Sequence, residues 1–391
     1  MSYKRLGDHI IEKVEFNDGN KYKLLQGVSN NKYFQKAKTN IIGIDLAKYR
    51  VAHHNQFVFN RATTRNGDKI SIALRKGESC IVSPSYRIFE VRDENLLHPD
   101  YLQMWFTRPE FDRYARFKSH GSAHEFFDME EMCEVELPIP SIEEQRQIVA
   151  QYQSIANKIK VNEQICEKLE ATAQALYKHW FVDFEFPNEA GEPYKSSGGK
   201  MVWNEELGKE IPEGWKVKSL EKISNVVAGG DKPKIFSDTI NKDCNIPIYS
   251  NSTDNYGLFG YTNIPKIFEP SITVSARGAI IGYTVLRKSP FVPIVRLITI
   301  TPDDNEIIYY LFKVIEKFNY DQNGSAQGQL TIPDISRRKV LLPDKFIINE
   351  YYLKYKEIDS LRDIYKNQTQ KLTQLQSLLL SRLAVGEEVS A

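Results

Sequence analysis

Cysteine is scarce in these 391 residues, and the four present, Cys80, Cys133, Cys166 and Cys244, stand far apart with no C-x-x-C pair. That spacing excludes a zinc ribbon and a disulfide framework and leaves four reduced thiols. No G-x-G occurs anywhere, so a dinucleotide-binding G-x-G-x-x-G is absent. The one Gly-Gly-Lys, ending at Lys200, lacks the upstream glycine and the Ser/Thr of a phosphate-binding loop. There is no Pro-Pro dipeptide, hence no D/N-P-P-Y/F motif of amino-methyltransferases, and no D/E-x-K of the common nuclease carboxylate–lysine site. Apolar runs stay well short of the roughly 18 residues that span a bilayer, and the opening MSYKRLGDHIIEKVEF has no signal-peptide core. The expectation is a cytoplasmic chain with no membrane partner. Charge of one sign is also missing: 52 basic and 51 acidic residues give +1, so contact with a polyanion must be local.

What is present is a repeat. GSAHEFFDMEEMCEVELPIPSIEEQ begins at Gly121 and GSAQGQLTIPDISRRKVLLPDKFII at Gly324, a displacement of 203 residues. At the same displacement Pro140 pairs with Pro343, Tyr152 with Tyr355, Ile155 with Ile358, Leu169 with Leu372 and Leu176 with Leu379. Upstream, DYLQMWF at Asp100 answers EIIYYLF at Glu306, and YKRLGDHI at Tyr3 answers WKVKSLEKI at Trp215. A period this long exceeds the roughly 20–50 residues of solenoid repeats, so two copies mean two domains with approximate twofold symmetry.

Each copy ends in a long helical pattern. Ser141 and Glu144 form an S-x-x-E capping box, and no proline or glycine intervenes before Pro187. Ile148, Tyr152, Ile155, Ile159, Asn162, Cys166, Leu169, Ala173, Leu176 and Trp180 step alternately by four and three, a heptad seam with one polar position. The second copy repeats the register at Tyr351, Tyr355, Ile358, Arg362, Tyr365, Thr369, Leu372, Gln376, Leu379 and Leu383. Seams this long predict that the helices pair with each other. With lobe and helix alternating along the chain, twofold symmetry makes the pair antiparallel. At ~1.5 Å per residue such helices would hold two lobes ~50–60 Å apart, about 15–18 base pairs of duplex.

The predicted fold is α/β (α+β): a tandem duplication of two globular domains separated by two long antiparallel coiled-coil helices. Its boundaries are 1–140 (domain 1), 141–186 (helix 1), 187–210 (linker), 211–343 (domain 2), 344–385 (helix 2) and 386–391 (tail). Strand patterns appear at CIVSPSYRIFEV, SITVSARGAIIGYTVL and VPIVRLITI, and helical ones follow near PDYLQMWFTRPEFDRYARF and NEIIYYLFKVIEKF. The linker is rich in glycine, proline and charge.

No catalytic constellation and no metal set emerges. His120 and His124 are four apart, but Gly121 between them argues against a shared helical face, and no carboxylate or cysteine completes a site. Basic and polar clusters remain. Arg61, Arg65, Lys69, Arg75 and Lys76 gather in the first domain; Lys232, Lys234 and Arg277 stand in the second. Lysine and arginine neutralise phosphates, arginine reads guanine and glutamine reads adenine, which adds Gln327 and Gln329, and His120 as a polyanion contact.

The chain resembles the DNA-specificity (S) subunits of type I restriction-modification systems. The resemblance rests on the opening IPEGWKVKSLEKI, the closing PIPSIEEQRQIVAQY and the exit LYKHWFVDFEFP. The second copy departs from the family's P-x-x-E-Q, reading PDKFIINEYY. The resemblance implies a non-catalytic prokaryotic chain whose domains are target recognition domains, each reading half of a split duplex-DNA sequence. It also implies helices that dock two methyltransferase (modification) subunits, and a complex that includes restriction/translocase subunits. S-adenosylmethionine, ATP and Mg would bind those partners, not this chain. The alternative is a stand-alone DNA-binding regulator.

Overall fold

The computed structural model describes residues 3–37, 43–62, 69–120, 125–320 and 329–384. Two compact units result, Met1–Glu163 with Lys366–Ala391, and Gln164–Tyr365. The helices are α1 (Pro99–Thr107), α2 (Pro109–Lys118), α3 (Met129–Cys133), α4 (Ile142–Phe181), α5 (Ile308–Glu316), α6 (Ile332–Ser336) and α7 (Lys345–Arg382). Both long helices run unbroken across the division, so each unit contains one half of each. The compact units therefore do not coincide with the sequence segments: each division falls within a long helix.

In the first unit the main sheet has strand order Ile10–Glu12, Tyr86–Val91, Phe57–Asn60, Ile72–Leu74, all antiparallel. Its two faces bury different sets. Phe57, Phe59 and Phe89 point towards α1 and α2, where Phe106, Phe111 and Phe127 complete an aromatic core. Val58, Ala73 and Ile88 point the other way, onto Cys80 and Val82. Period-two alternation with both faces covered explains the nearly unbroken apolar run Phe57-Val58-Phe59. Each fully buried phenylalanine contributes about 1.5–3 kcal/mol.

The second unit repeats this plan. Its main sheet has the order Ser224–Ala228, Leu297–Pro302, Ser271–Ser275, Thr284–Arg287. Pairing of named strands is antiparallel in both units except for Ile246–Tyr249 with Val292–Pro293, so the mixed fold resolves as α+β. Tyr3–Arg5 pairs with Glu136–Pro138 as Lys216–Ser219 pairs with Lys339–Leu342. In this register Val217, opposite Leu341, takes the place of Tyr3, opposite Pro138, while Trp215 packs between Phe184 and Phe186. Tyr101 of α1 donates to the Pro138 carbonyl at 3.0 Å, and Tyr310 of α5 donates to the Leu341 carbonyl. The acceptors are 203 residues apart but the tyrosines 209, so EIIYYLF answers DYLQMWF one helical turn later than its spelling suggests. The 3-10 turn Asn305–Ile307 takes up the difference.

The capping box expected at Ser141 is formed: Ser141 N donates to Glu144 Oε2 at 2.9 Å, and Glu144 N to Ser141 Oγ at 3.3 Å. Gln145, fully buried, ties the start of α4 to the domain, donating to the Leu96 and Pro140 carbonyls and accepting from His98 N. At the matching place in α7 stands buried Ile348. The departure from P-x-x-E-Q thus exchanges a hydrogen-bonded anchor for an apolar one.

The helices pair antiparallel within each unit. In the first, Val149 shares a core with Leu383, while Ile148, Tyr152 and Leu380 pack on it, and the Asn162 amide donates to Gln368 Oε1 at 3.0 Å. In the second, Trp180 lies 6.0 Å from the Tyr351 ring, and Glu170 meets Arg362. The expected seam positions Ile148, Tyr152, Ile155, Ile159, Leu169, Leu176, Tyr351, Tyr355, Ile358, Leu372 and Leu379 are all buried or half-buried. Helix α4 stops at Phe181, short of residue 186, because Phe184 turns into the left-handed region (φ 63°) and packs on Trp215. The end of the linker forms the hairpin Met201–Asn204/Lys209–Pro212, which runs two residues past 210 and which its composition did not show.

Candidate nucleic-acid interface

Arg61 directly follows the strand Phe57–Asn60. Its carbonyl accepts Phe127 N at 2.8 Å, and its guanidinium lies 4.9 Å over Phe126 and 3.2 Å from Asp128 Oδ2. Asp128 also caps α3 and receives Arg87 through Nε at 2.6 Å and Nη2 at 3.0 Å. Burial alone would raise the Asp128 carboxyl, but the Arg87 hydrogen bonds, the Met129 amide and Arg61 outweigh it and bring it down to about 2. Nearby Arg50 is buried, and that burial, with Arg87 next to it, lowers its pKa. Three arginines thus face two carboxylates, Glu12 and Asp128.

The second unit builds the same corner from different residues. The Ala276 carbonyl accepts Leu330 N at 2.9 Å, as Arg61 accepts Phe127. The bridge Arg277 to Gln329 stands where Ala62 meets Phe126. Capping boxes follow in both, Asp128 with Glu131 and Thr331 with Asp334, again 203 residues apart. Arg277 donates to Gln329 Oε1, its Nε is buried without a partner among the described residues, and Asn251 brackets its peptide from both sides. Each unit thus carries an arginine at its strand-to-helix corner, one position apart in the repeat: Arg61 matches Ala276, and Arg277 matches Ala62. Cations held there with unfilled hydrogen-bonding capacity suit phosphate oxygens and guanine edges.

The cluster from Arg61 to Lys76 is split. Asn60 N bonds Ser71 O, whereas Arg75 N bonds Gln56 O, at the opposite end of the same strand pair. Arg61 and exposed Lys69 share one end; Arg75 and Lys76 lie a strand length away, about 13 Å. Arg75 is only 7% exposed, with Nε on the Glu78 carbonyl, Nη1 on Gln26 and its plane over Phe34. It is built into the domain, not offered to a ligand. Lys76 binds Asn55 and Asp100 at 3.0 and 2.7 Å. His120 joins the Arg61 corner, exchanging backbone hydrogen bonds with Phe126. Lys232 is exposed and stacks 3.3 Å over Phe236; Lys234 is exposed. Arg65, Gln327, His124 and the 386–391 tail lie outside the described residues.

One cation had no sequence signal. Exposed Lys266, isolated in NIPKIFEP, brings its Nζ to 2.9 Å from where a Cβ would stand on Gly230, two residues before Lys232. Among the described residues no cluster of three His, Cys, Asp or Glu could hold a metal ion, the four cysteines are free, and no helix is long and apolar enough to cross a membrane.

Comparison with known proteins adds to this geometry. A family profile described as the type I restriction modification DNA specificity domain matches residues 5–171 and 212–375. The chain is 27% identical over 311 residues to the type I restriction enzyme MjaIX specificity subunit of Methanocaldococcus jannaschii, covering 74% of this chain and 68% of that one. It is 23% identical to the HindI specificity subunit of Haemophilus influenzae, covering 92% of each. Its fold is similar to the crystal structure of the type I restriction-modification S subunit from M. genitalium. There the TM-score is 0.63 at 16% identity, over 100% of this chain and 96% of that one.

Proposed function

Because the chain belongs to the type I restriction-modification DNA specificity family, a family of non-catalytic subunits, we propose that it reads a bipartite duplex-DNA target, each unit recognising one half. The observation that carries this reading is the duplicated corner: Arg61 beside Phe126 and Asp128, Arg277 beside Gln329. A split target needs two readers, and the chain supplies two matching corners, each with an arginine at adjacent though not identical positions. The long helices set the gap between half-sites and dock two methyltransferase subunits. Those partners take S-adenosylmethionine and methylate adenine N6 after flipping the base from the stack. Restriction/translocase subunits, with ATP and Mg, complete a cytoplasmic assembly.

The test is to co-express the chain with the methyltransferase subunit encoded beside it and map N6-methyladenine by single-molecule sequencing. A split motif with one modified adenine per strand, lost on deleting this chain, is the expected result. Methylation unchanged by the deletion would overturn the reading.

A further inference from the structure

We propose that Arg296 is a DNA-contacting residue of the second unit and helps set what its half-site accepts; this rests on the reading of that unit as a DNA-recognition domain. Arg296 sits between Val292–Pro293 and the sheet strand Leu297–Pro302, with φ at 72°. An L side chain with a long stem is costly in that left-handed region, where glycine or asparagine would be the ordinary occupant. The surroundings impose the conformation. The Arg296 carbonyl accepts Ala276 N at 3.0 Å, Leu297 O accepts Gly229 N at 2.7 Å, and Ile294 N reaches Tyr249 O at 2.9 Å. Gly229 lies so near that a Cβ on it would stand 2.3 Å from the Ile294 carbonyl oxygen.

So firmly held a turn has room for glycine, yet it carries an exposed arginine. Among the described residues its guanidinium makes no hydrogen bond, ion pair or ring contact. An exposed cation fixed at its backbone and without an internal partner is available to a group outside the chain, and strained backbone of this kind clusters at functional sites. Its neighbours say what. Ser275 pairs with Leu297, so Arg277 and Arg296 flank the ends of adjacent strands at one end of the sheet. Gly230 bridges Ile294 and bears Lys266 against it, with Lys232 two residues on. Through these pairings four cations from four separate segments lie near one another in the fold, with exposed Asp231 beside Lys232. A planar fork of donors in such surroundings matches a phosphate or the O6/N7 edge of guanine.

The experiment uses the complex of this chain with its methyltransferase subunit and compares Arg296→Gly, Arg296→Lys and wild type. Glycine relieves the backbone, so R296G should melt no lower than wild type, yet bind its target at least about tenfold more weakly. If the contact is to guanine, one position in the second unit's half-site relaxes and R296K does not restore it. If it is to phosphate, binding weakens across sequences, the salt dependence falls by about one unit and R296K restores most of it. Wild-type affinity, motif and salt dependence in R296G would overturn the proposal, as would loss of binding in parallel with loss of melting temperature. A wild-type complex that methylates no split motif would instead overturn the functional reading on which the proposal stands.

Discussion

The Asn162 amide nitrogen stands 3.0 Å from Gln368 Oε1, and the asparagine is wholly buried in the seam between the two long helices. Its Oδ1 has no partner among the described residues. A polar residue in a heptad seam specifies register at a cost in stability, and an unfilled buried oxygen adds to that cost. Asn162→Leu should therefore stabilise the chain by about 1 kcal/mol, whereas Gln368→Ala, which strands the amide, should cost about 1–2 kcal/mol. Opposite shifts in melting temperature check the pair; two shifts of the same sign would contradict it.

Lys313 is 1% exposed and lies between Glu170 at 2.9 Å and Glu316 at 3.1 Å, while Arg362 joins Glu170 to nearly buried Asp359. This network ties α5 to both long helices. Burial would raise the Glu170 carboxyl, but Lys313 and Arg362 reverse the direction and lower it. Lys313→Met leaves Glu316 without its cation and Glu170 with Arg362 alone, and because both carboxylates are partly exposed it should cost about 1–3 kcal/mol. Glu316→Gln, at the exposed margin, should cost under about 1 kcal/mol. Denaturant midpoints should separate the two variants clearly.

Asp128 predicts an acid limb. Its folded pKa is depressed, so the stability it contributes is fully present above the unfolded value, near 3.8, and is lost as pH falls towards about 2. Asp128→Asn should lower stability at neutral pH and flatten the pH dependence between about 4 and 2. Thermal melts across that window give the answer, and an unchanged acid limb would show that the Arg61 and Arg87 contacts contribute nothing.

The two corners and the internal arginine should behave differently. Arg61→Ala should weaken or relax one half of the methylated motif and Arg277→Ala the other, each by about 1–3 kcal/mol. Arg75→Ala should lower melting temperature and leave the motif intact, because its guanidinium is satisfied by Gln26 and Glu78 inside the domain. Methylome mapping with melting curves distinguishes the classes. A changed motif in R75A would place that residue at the DNA.

Much of the frame was legible because it is written locally. A displacement of 203 residues reappears as matched capping boxes at Asp128 and Thr331 and matched starts of α4 and α7. Steps of three and four picked out the buried stripe from Ile148 to Trp180. Legibility failed where a distant partner decides. Phe184 ends α4 only because Trp215 receives it, and a hairpin forms at the end of a linker whose composition signals a turn.

The basic cluster shows the same limit at the site. Residues 61–76 look like one patch in sequence, yet antiparallel pairing sends Arg61 and Arg75 to opposite ends of two strands. Conversely, Arg277 and Gln329 are 52 positions apart and hydrogen-bonded, and Lys266 reaches Gly230 with no local motif to announce it.

By itself the sequence determined that there are two copies, where each long helix begins, and which stripe of each is apolar. Those properties depend on spacing along one chain segment. The tertiary structure alone decided that each compact unit takes half of both helices, and which cations are brought to one end of a sheet. Periodicity states that a face must be covered; the partner that covers it is chosen by packing between residues far apart in the chain, and that choice also aims the arginines.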